Sequence, residues 1–322
     1  MNITIMLKNI IRNDMSAVLG AVITIGLLLS ITTPGFTSFY NLDSIAATIA
    51  ITTVVGLSQL QVLAIGHFNL ALGPMGALGG VCAGALMELL GAPIWISILA
   101  GLLVGTLAGA IQGGLIVKTG ISPFIITLGL ASLYLGFITG ITKAKYFGHM
   151  PQAFNHLGEA RLYGVSLLLI IAILIICVLW IFYSRTPLGR QLLSTGASQK
   201  ASYFSGIPTN NVIVTAHALS GFFAAVAGIL LAARLNSAQI LIPTDWMLVS
   251  FAAPVLGGTL LSGGKVSVIG TILGATLMTL INNTLVLIGV NYYWYQSFLG
   301  AILLGAFALD RVRLAYVTQK KL

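Results

Sequence analysis

Ser44 to Met87 reads SIAATIAITTVVGLSQLQVLAIGHFNLALGPMGALGGVCAGALM, 44 residues without an Asp, Glu, Lys or Arg. A helix needs about 20 apolar residues to cross a hydrocarbon core, so this run holds two crossings and a turn. The turn is Gly66-His67-Phe68-Asn69-Leu70-Ala71-Leu72-Gly73, followed by Pro74. Gly and Pro free backbone groups that lipid cannot satisfy, so protein or cavity water must do so. Such backbone either lines a pathway or makes a tight turn at the membrane surface.

The rest of the chain follows the same pattern. Of its 322 residues 58% are hydrophobic and 7% charged, against about a quarter charged in a soluble domain. Uncharged runs cover 15–42, 89–117, 119–142, 162–184, 201–233, 246–264 and 266–309. The last is again long enough for two helices, with a break near Gly289 to Tyr293. The count is about ten transmembrane helices in an all-α polytopic bundle, read as one domain over 1–322. The run 15–42 reads as an uncleaved first helix, because its 28 residues exceed a signal-peptide core.

The net charge of +9 is explained by topology rather than by nucleic acid, because the charges are sparse and sit between apolar runs. With both termini in the cytoplasm, 11 of the 15 Lys and Arg fall inside and only Lys143, Lys145, Arg161 and Arg234 outside. Glu88 then marks an outer helix end. Two loops exceed a turn: an outer one from Lys143 to about Gly164, and a cytoplasmic one over about 184–211, mildly polar and suited to one or two short surface helices. Small residues along the spans, as in Gly101 to Gly114, allow close helix packing. A Gly-rich turn leading into a small-residue helix occurs at both 66–86 and 257–277, a faint internal similarity. Tyr292, Tyr293, Trp294 and Tyr295 fit an interfacial aromatic belt.

Several chemistries are excluded. Mid-membrane carboxylates of the kind that couple ion gradients are nearly absent. Leu261-Ser-Gly-Gly-Lys265 is no P-loop, because Val266 follows the lysine and Thr259 stands where the first glycine belongs. Cys82 and Cys177 lie in apolar runs, and no metal or cofactor set is present. The chain is therefore not read as an enzyme. Uncharged polar residues do occur in the spans: Gln59, Gln61, His67, Asn69, Gln112, Asn282, Asn283 and Gln296. They serve either as interhelical hydrogen bonds or as walls of a polar pathway. His217 reads as a packed or hydrogen-bonded histidine.

Three stretches carry a family resemblance. Val255-Leu-Gly-Gly-Thr-Leu-Leu-Ser-Gly-Gly-Lys-Val-Ser-Val-Ile-Gly-Thr-Ile-Leu-Gly-Ala275 is similar to the Gly-rich C-terminal signature of permease subunits of bacterial ABC sugar importers of the ribose, xylose and autoinducer-2 type. Arg185-Thr-Pro-Leu-Gly-Arg190, continuing through Thr195-Gly196 and Ala201 to Ser205-Gly206-Ile207, resembles the family's ATPase-docking loop. Ile121-Ser-Pro-Phe-Ile-Ile-Thr-Leu-Gly129 resembles a membrane motif of the same permeases. One departure stands out: where many relatives read Gly-Gly-Ile-Asp-Leu-Ser-Val-Gly, this chain has His67, Asn69 and Ala71 in place of glycine, acid and serine.

The resemblance implies a type II ABC importer-like channel subunit in the bacterial inner membrane. It moves a monosaccharide or similar polar solute by alternating access. It implies a second permease copy or paralogue, separate ABC ATPase subunits, a periplasmic or lipid-anchored solute-binding protein, and surrounding lipid. The pathway residues it suggests are His67, Phe68, Asn69, Phe124, Asn282 and Asn283. The ATPase-coupling residues are Gly189, Arg190, Gly196, Ala201, Ser205, Gly206 and Ile207, the small ones letting a short helix sit deep in a groove. Branched-chain amino acid or nucleoside permeases, and an ion-coupled secondary transporter, stand as alternatives.

Overall fold

The computed structural model describes residues 14–240 and 246–289, with six scattered positions between 294 and 305. Among these residues the architecture is helical, with one small hairpin. Helix α1 covers Asp14–Thr32 and α2 covers Phe39–Leu63. The Pro34-Gly35 turn separates them, with Gly35 at φ 82°, and Ser38 caps α2 by accepting the Asn41 N–H at 3.3 Å. Helix α3 (Leu72–Leu90) follows the interrupted segment, then α4 (Ile94–Thr119) and α5 (Pro123–Thr142). Gly91 and Gly120 end α3 and α4 in the left-handed conformation that a side chain would strain.

A short helix α6 (Gln152–Glu159) and a two-stranded hairpin, β1 (Arg161–Leu162) and β2 (Val165–Ser166), precede α7 (Leu167–Arg185). Two short helices come next, α8 (Pro187–Ala197) and α9 (Gln199–Phe204), capped by the Thr186 and Ser198 hydroxyls. The longest helix is α10 (Thr209–Leu235), and α11 (Trp246–Leu256) and α12 (Val268–Leu287) complete the described core.

Helix α10 is the hub, packing on α4, α3 and α2. Glycine makes this possible: a Cβ on Gly228 would overlap the Gly76 carbonyl of α3, and one on Gly221 the Gly105 carbonyl of α4. Lipid gives no hydrophobic drive for helix association, so such close backbone contact is what holds the bundle. The outer helices behave differently. In the most apolar stretches of α4, α5 and α7 only 28%, 17% and 28% of residues are buried. On α4 the exposed Leu99, Leu103, Leu107 and Ile111 recur every four residues, a stripe that suits acyl chains.

One end of the bundle, the Glu88 end, is fastened by polar contacts. The Arg161 guanidinium grips the Asp43 carboxylate at 3.1 and 2.8 Å and lies 5.0 Å from the Phe39 ring centroid. The His149 N–H donates to Glu88 at 2.7 Å, and the Asn236 amide donates to Glu159 at 3.0 Å.

The structure corrects the span boundaries in two places. The first helix stops at Thr32, before Pro34, so Asp43 lies inside α2 rather than between spans. Seven helices among the described residues are long and apolar enough to cross a membrane. The 246–264 run gives only the 11-residue α11, because Pro254 and the glycines at 257 and 258 end it. The proposed last span and the aromatics Tyr292, Tyr293 and Tyr295 lie outside the described residues. The loop over 184–211 does form two short helices, as its sequence suggests.

Candidate functional site

The segment between α2 and α3 departs from helix at Ala64 and resumes at Leu72, and a buried polar network closes around it. Asn69 is fully buried. Its side-chain Oδ1 accepts the Ala71 N–H at 2.9 Å, capping the turn into α3. Its Nδ2 donates to the Ser220 hydroxyl of α10 at 2.9 Å. The Gln59 amide, turned so that each end meets its complement, donates to the Asn69 carbonyl at 3.1 Å and accepts the Asn69 N–H at 3.2 Å. Ser58 donates to the Ser220 carbonyl at 2.6 Å. These bonds satisfy the backbone groups that the interrupted helix exposes, as lipid requires.

A second chain of contacts begins two residues earlier. His67 Nδ1 and His217 Nε2 lie 3.2 Å apart, and the Gln112 amide reaches His217 Nδ1 at 2.7 Å. If Gln112 donates, His217 carries its proton on Nε2 and donates to His67. His217 is thus engaged on both nitrogens, fully buried between α4 and the interrupted segment. A third link runs toward the short helices: Tyr183, at the end of α7, donates to Gln61 of α2 at 2.8 Å.

The same segment meets the two other motif regions. The Gly264 N–H donates to the Ala64 carbonyl at 3.0 Å. Gly196 of α8 sits so close that a Cβ there would overlap that carbonyl and the Gly264 amide. The end of α2, the end of α8 and the glycine-rich loop before α12 therefore converge on one point. Beside the interrupted segment a cavity of about 190 Å³ touches Leu70, Gly73, Pro74, Ser132 and Met247.

The other sequence-derived positions distribute as follows. Phe68 is half-buried and tilts against Phe251, ring centroids 5.6 Å apart. Asn282 and Asn283 lie far along α12, where the Asn283 and Asn41 amides exchange hydrogen bonds of 2.7 and 3.3 Å. Phe124 is 51% exposed on the first turn of α5 and joins none of these contacts. Gly189 is buried where α8 folds back on α7, against the Phe182 carbonyl. Arg190 and Ala201 are exposed, Ile207 is half-buried, and the Ser205 hydroxyl donates to the Ala201 carbonyl at 2.9 Å.

At Gly206 nothing lies within 4 Å of a Cβ, and its φ of 82° is what calls for glycine. The close seat belongs to Gly196. Sequence reasoning missed Ser58 and Ser220, ordinary residues in apolar runs. It also missed Tyr203 and Phe204, 66% and 86% exposed on α9; two adjacent aromatics in a loop of small residues were the available signal.

Comparison with known proteins places this arrangement. A family model described as branched-chain amino acid transport system / permease component matches residues 41–307. The chain is 30% identical over 306 residues to the ribose import permease protein RbsC of Haemophilus influenzae, covering 94% of this chain and 93% of that protein. It is 28% identical over 277 residues to the D-allose transport system permease protein AlsC of Escherichia coli, covering 86% and 85%. It is 30% identical over 257 residues to the autoinducer 2 import system permease protein LsrD of Salmonella typhimurium, covering 78% and 77%. No solved structure matches the chain. With a family model spanning most of its length, and relatives aligned nearly end to end, the chain belongs to the branched-chain amino acid transport system permease component family and is a multi-pass ABC permease subunit.

Proposed function

We propose that this subunit conducts a monosaccharide or similar small polar solute through the inner membrane, driven by ATPase subunits that bind the α8–α9 end. The observation that carries this is the convergence of Gly196, the Ala64 carbonyl and Gly264. A push on α8 reaches the interrupted helix directly, with no flexible linker between. Exposed Tyr203 and Phe204 on α9 supply the apolar contact by which a soluble partner grips that end. ATP acts by favouring one of two packings of the bundle, and the network around Asn69 keeps the broken segment intact in both.

In this reading both termini are cytoplasmic. The α8–α9 end faces the ATPases, and the Glu88 end faces a solute-binding protein that delivers cargo. Ten crossings result when α1, α11 with its following loop, and the stretch 290–309 each cross once. A second permease, identical or related, completes the pore. The cargo assignment rests on the printed names of the relatives, ribose, D-allose and autoinducer 2, together with a polar interior that offers amides and hydroxyls rather than carboxylates. Zwitterionic amino acids, the alternative cargo, would call for a carboxylate partner to their ammonium group.

The test is uptake into vesicles holding the permease, its ATPase and its binding protein. D-ribose or D-allose enters and leucine does not compete. Leucine uptake with no sugar uptake would reverse the assignment.

A further inference from the structure

At the Glu88 end, away from the network and from α8, the start of α2 and the last turns of α12 enclose a second cavity of about 180 Å³. Its polar lining includes Thr48, Thr279, Asn282 and Asn283, and its apolar walls are Ile45 and Val286. Three observations mark it as more than a packing gap.

First, the Thr279 hydroxyl is buried without a hydrogen-bond partner, although the residue is 4% exposed. Helical threonines ordinarily fold back on the carbonyl four residues earlier. Thr276 and Thr284 on the same helix do so, at 2.7 and 2.6 Å. Thr279 forgoes that bond.

Second, the Asn41–Asn283 amide pair ties the start of α2 to the end of α12, with one hydrogen bond in each direction. Each amide carries an acceptor and two donors, so neighbouring hydroxyls of one ligand can replace its partner atom for atom.

Third, Arg234 stands behind the wall. It donates to the Thr48 hydroxyl at 2.8 Å and to the Ser44 carbonyl and hydroxyl at 3.1 and 3.2 Å. Its hydrogen bonds all go to neutral oxygens, and the Asp43 carboxylate next to Ser44 is held by Arg161. Thr48 is in turn fixed by donating to the Ser44 carbonyl at 2.8 Å, which leaves its oxygen one free acceptor position.

We propose that this cavity is a solute subsite within a single permease chain, built for a neutral polyhydroxy ligand of the monosaccharide class, with the Asn41–Asn283 pair as its latch. The ligand's hydroxyls take up the Thr279 hydroxyl and the Asn282 and Asn283 amides, and a C–H face of the sugar rests on Ile45 and Val286. The inference rests on the importer reading above and adds to it a place and a latch.

The test uses the assembled importer in membranes, with Cys82 and Cys177 replaced by serine. In that background Thr279→Cys and Asn282→Cys are labelled by an anionic, membrane-impermeant methanethiosulfonate added from the binding-protein side, and excess D-ribose or D-allose slows the labelling several-fold. Absent labelling, or labelling that neither sugar slows, overturns the subsite. Thr279→Val gives an independent readout. Removing an unpartnered hydroxyl costs the fold nothing, so a purely structural threonine would leave uptake unchanged and the protein as stable or more so. The subsite instead predicts a several-fold slower uptake at unchanged or higher melting temperature, and unchanged uptake overturns it. Lack of sugar uptake by the unsubstituted importer is a separate result and counts against the importer reading.

Discussion

Asn69 shows how much one side chain can hold in lipid. Its amide caps the turn into α3 and reaches Ser220 across to α10, while Gln59 satisfies its own backbone. Asn69→Leu keeps the volume but strands the Ala71 N–H and leaves the Ser220 hydroxyl only its 3.3 Å contact with the Ser58 hydroxyl. One unsatisfied group costs roughly 1–3 kcal/mol. The measurement is the melting temperature of the purified subunit in detergent, expected to fall markedly; an unchanged value would remove Asn69 from the fastening role. The sequence marks this position, because a Gly- and Pro-flanked polar residue interrupts an apolar run. It gives no sign of Ser58 and Ser220, since a serine in a transmembrane helix usually bonds its own backbone, and only the fold brings these two together. His217 is legible as hydrogen-bonded, but its partners Gln112 and His67 stand 105 and 150 residues away.

At the scale of elements, the proposed lever is α8, with Gly196 as its seat. Gly196→Ala places a methyl group against the Ala64 carbonyl, so uptake should fall sharply while ATP hydrolysis by the assembled importer persists. Gly206→Ala meets open space and costs only the strain of its left-handed backbone, about 1–2 kcal/mol, leaving uptake per hydrolysed ATP near the unsubstituted value. Measuring both rates for both variants separates the two glycines, and equal coupling in all three proteins would contradict the lever. The motif around 185–207 draws attention to this loop in the sequence, but conformation and proximity decide which glycine is closely packed and which is open, and neither shows in composition. The misplaced end of the first helix has a similar cause. Asp43 was treated as a boundary because it is charged, yet Arg161 neutralises it within α2, whereas Pro34-Gly35 breaks the backbone itself.

The described part of the molecule divides into a glycine-packed interior of α2, α3 and α10, with α4 packed against it by one face, and an exposed apolar shell. Composition alone makes the membrane assignment, because so few charges cannot cover so much apolar surface in water. The count of crossings is harder to read, since α11 is cut short by Pro254 and glycines rather than by charge. In the proposed account two structures at opposite ends share the work: a seat at the α8 end where force enters, and a polar cavity at the Glu88 end. In that account the bundle moves when a partner pushes it. The most direct measurement reconstitutes the purified permease in vesicles with and without its ATPase and binding protein, then follows radiolabelled D-ribose. Accumulation against the gradient only when both partners and ATP are present is the predicted result; accumulation by the permease alone would contradict it.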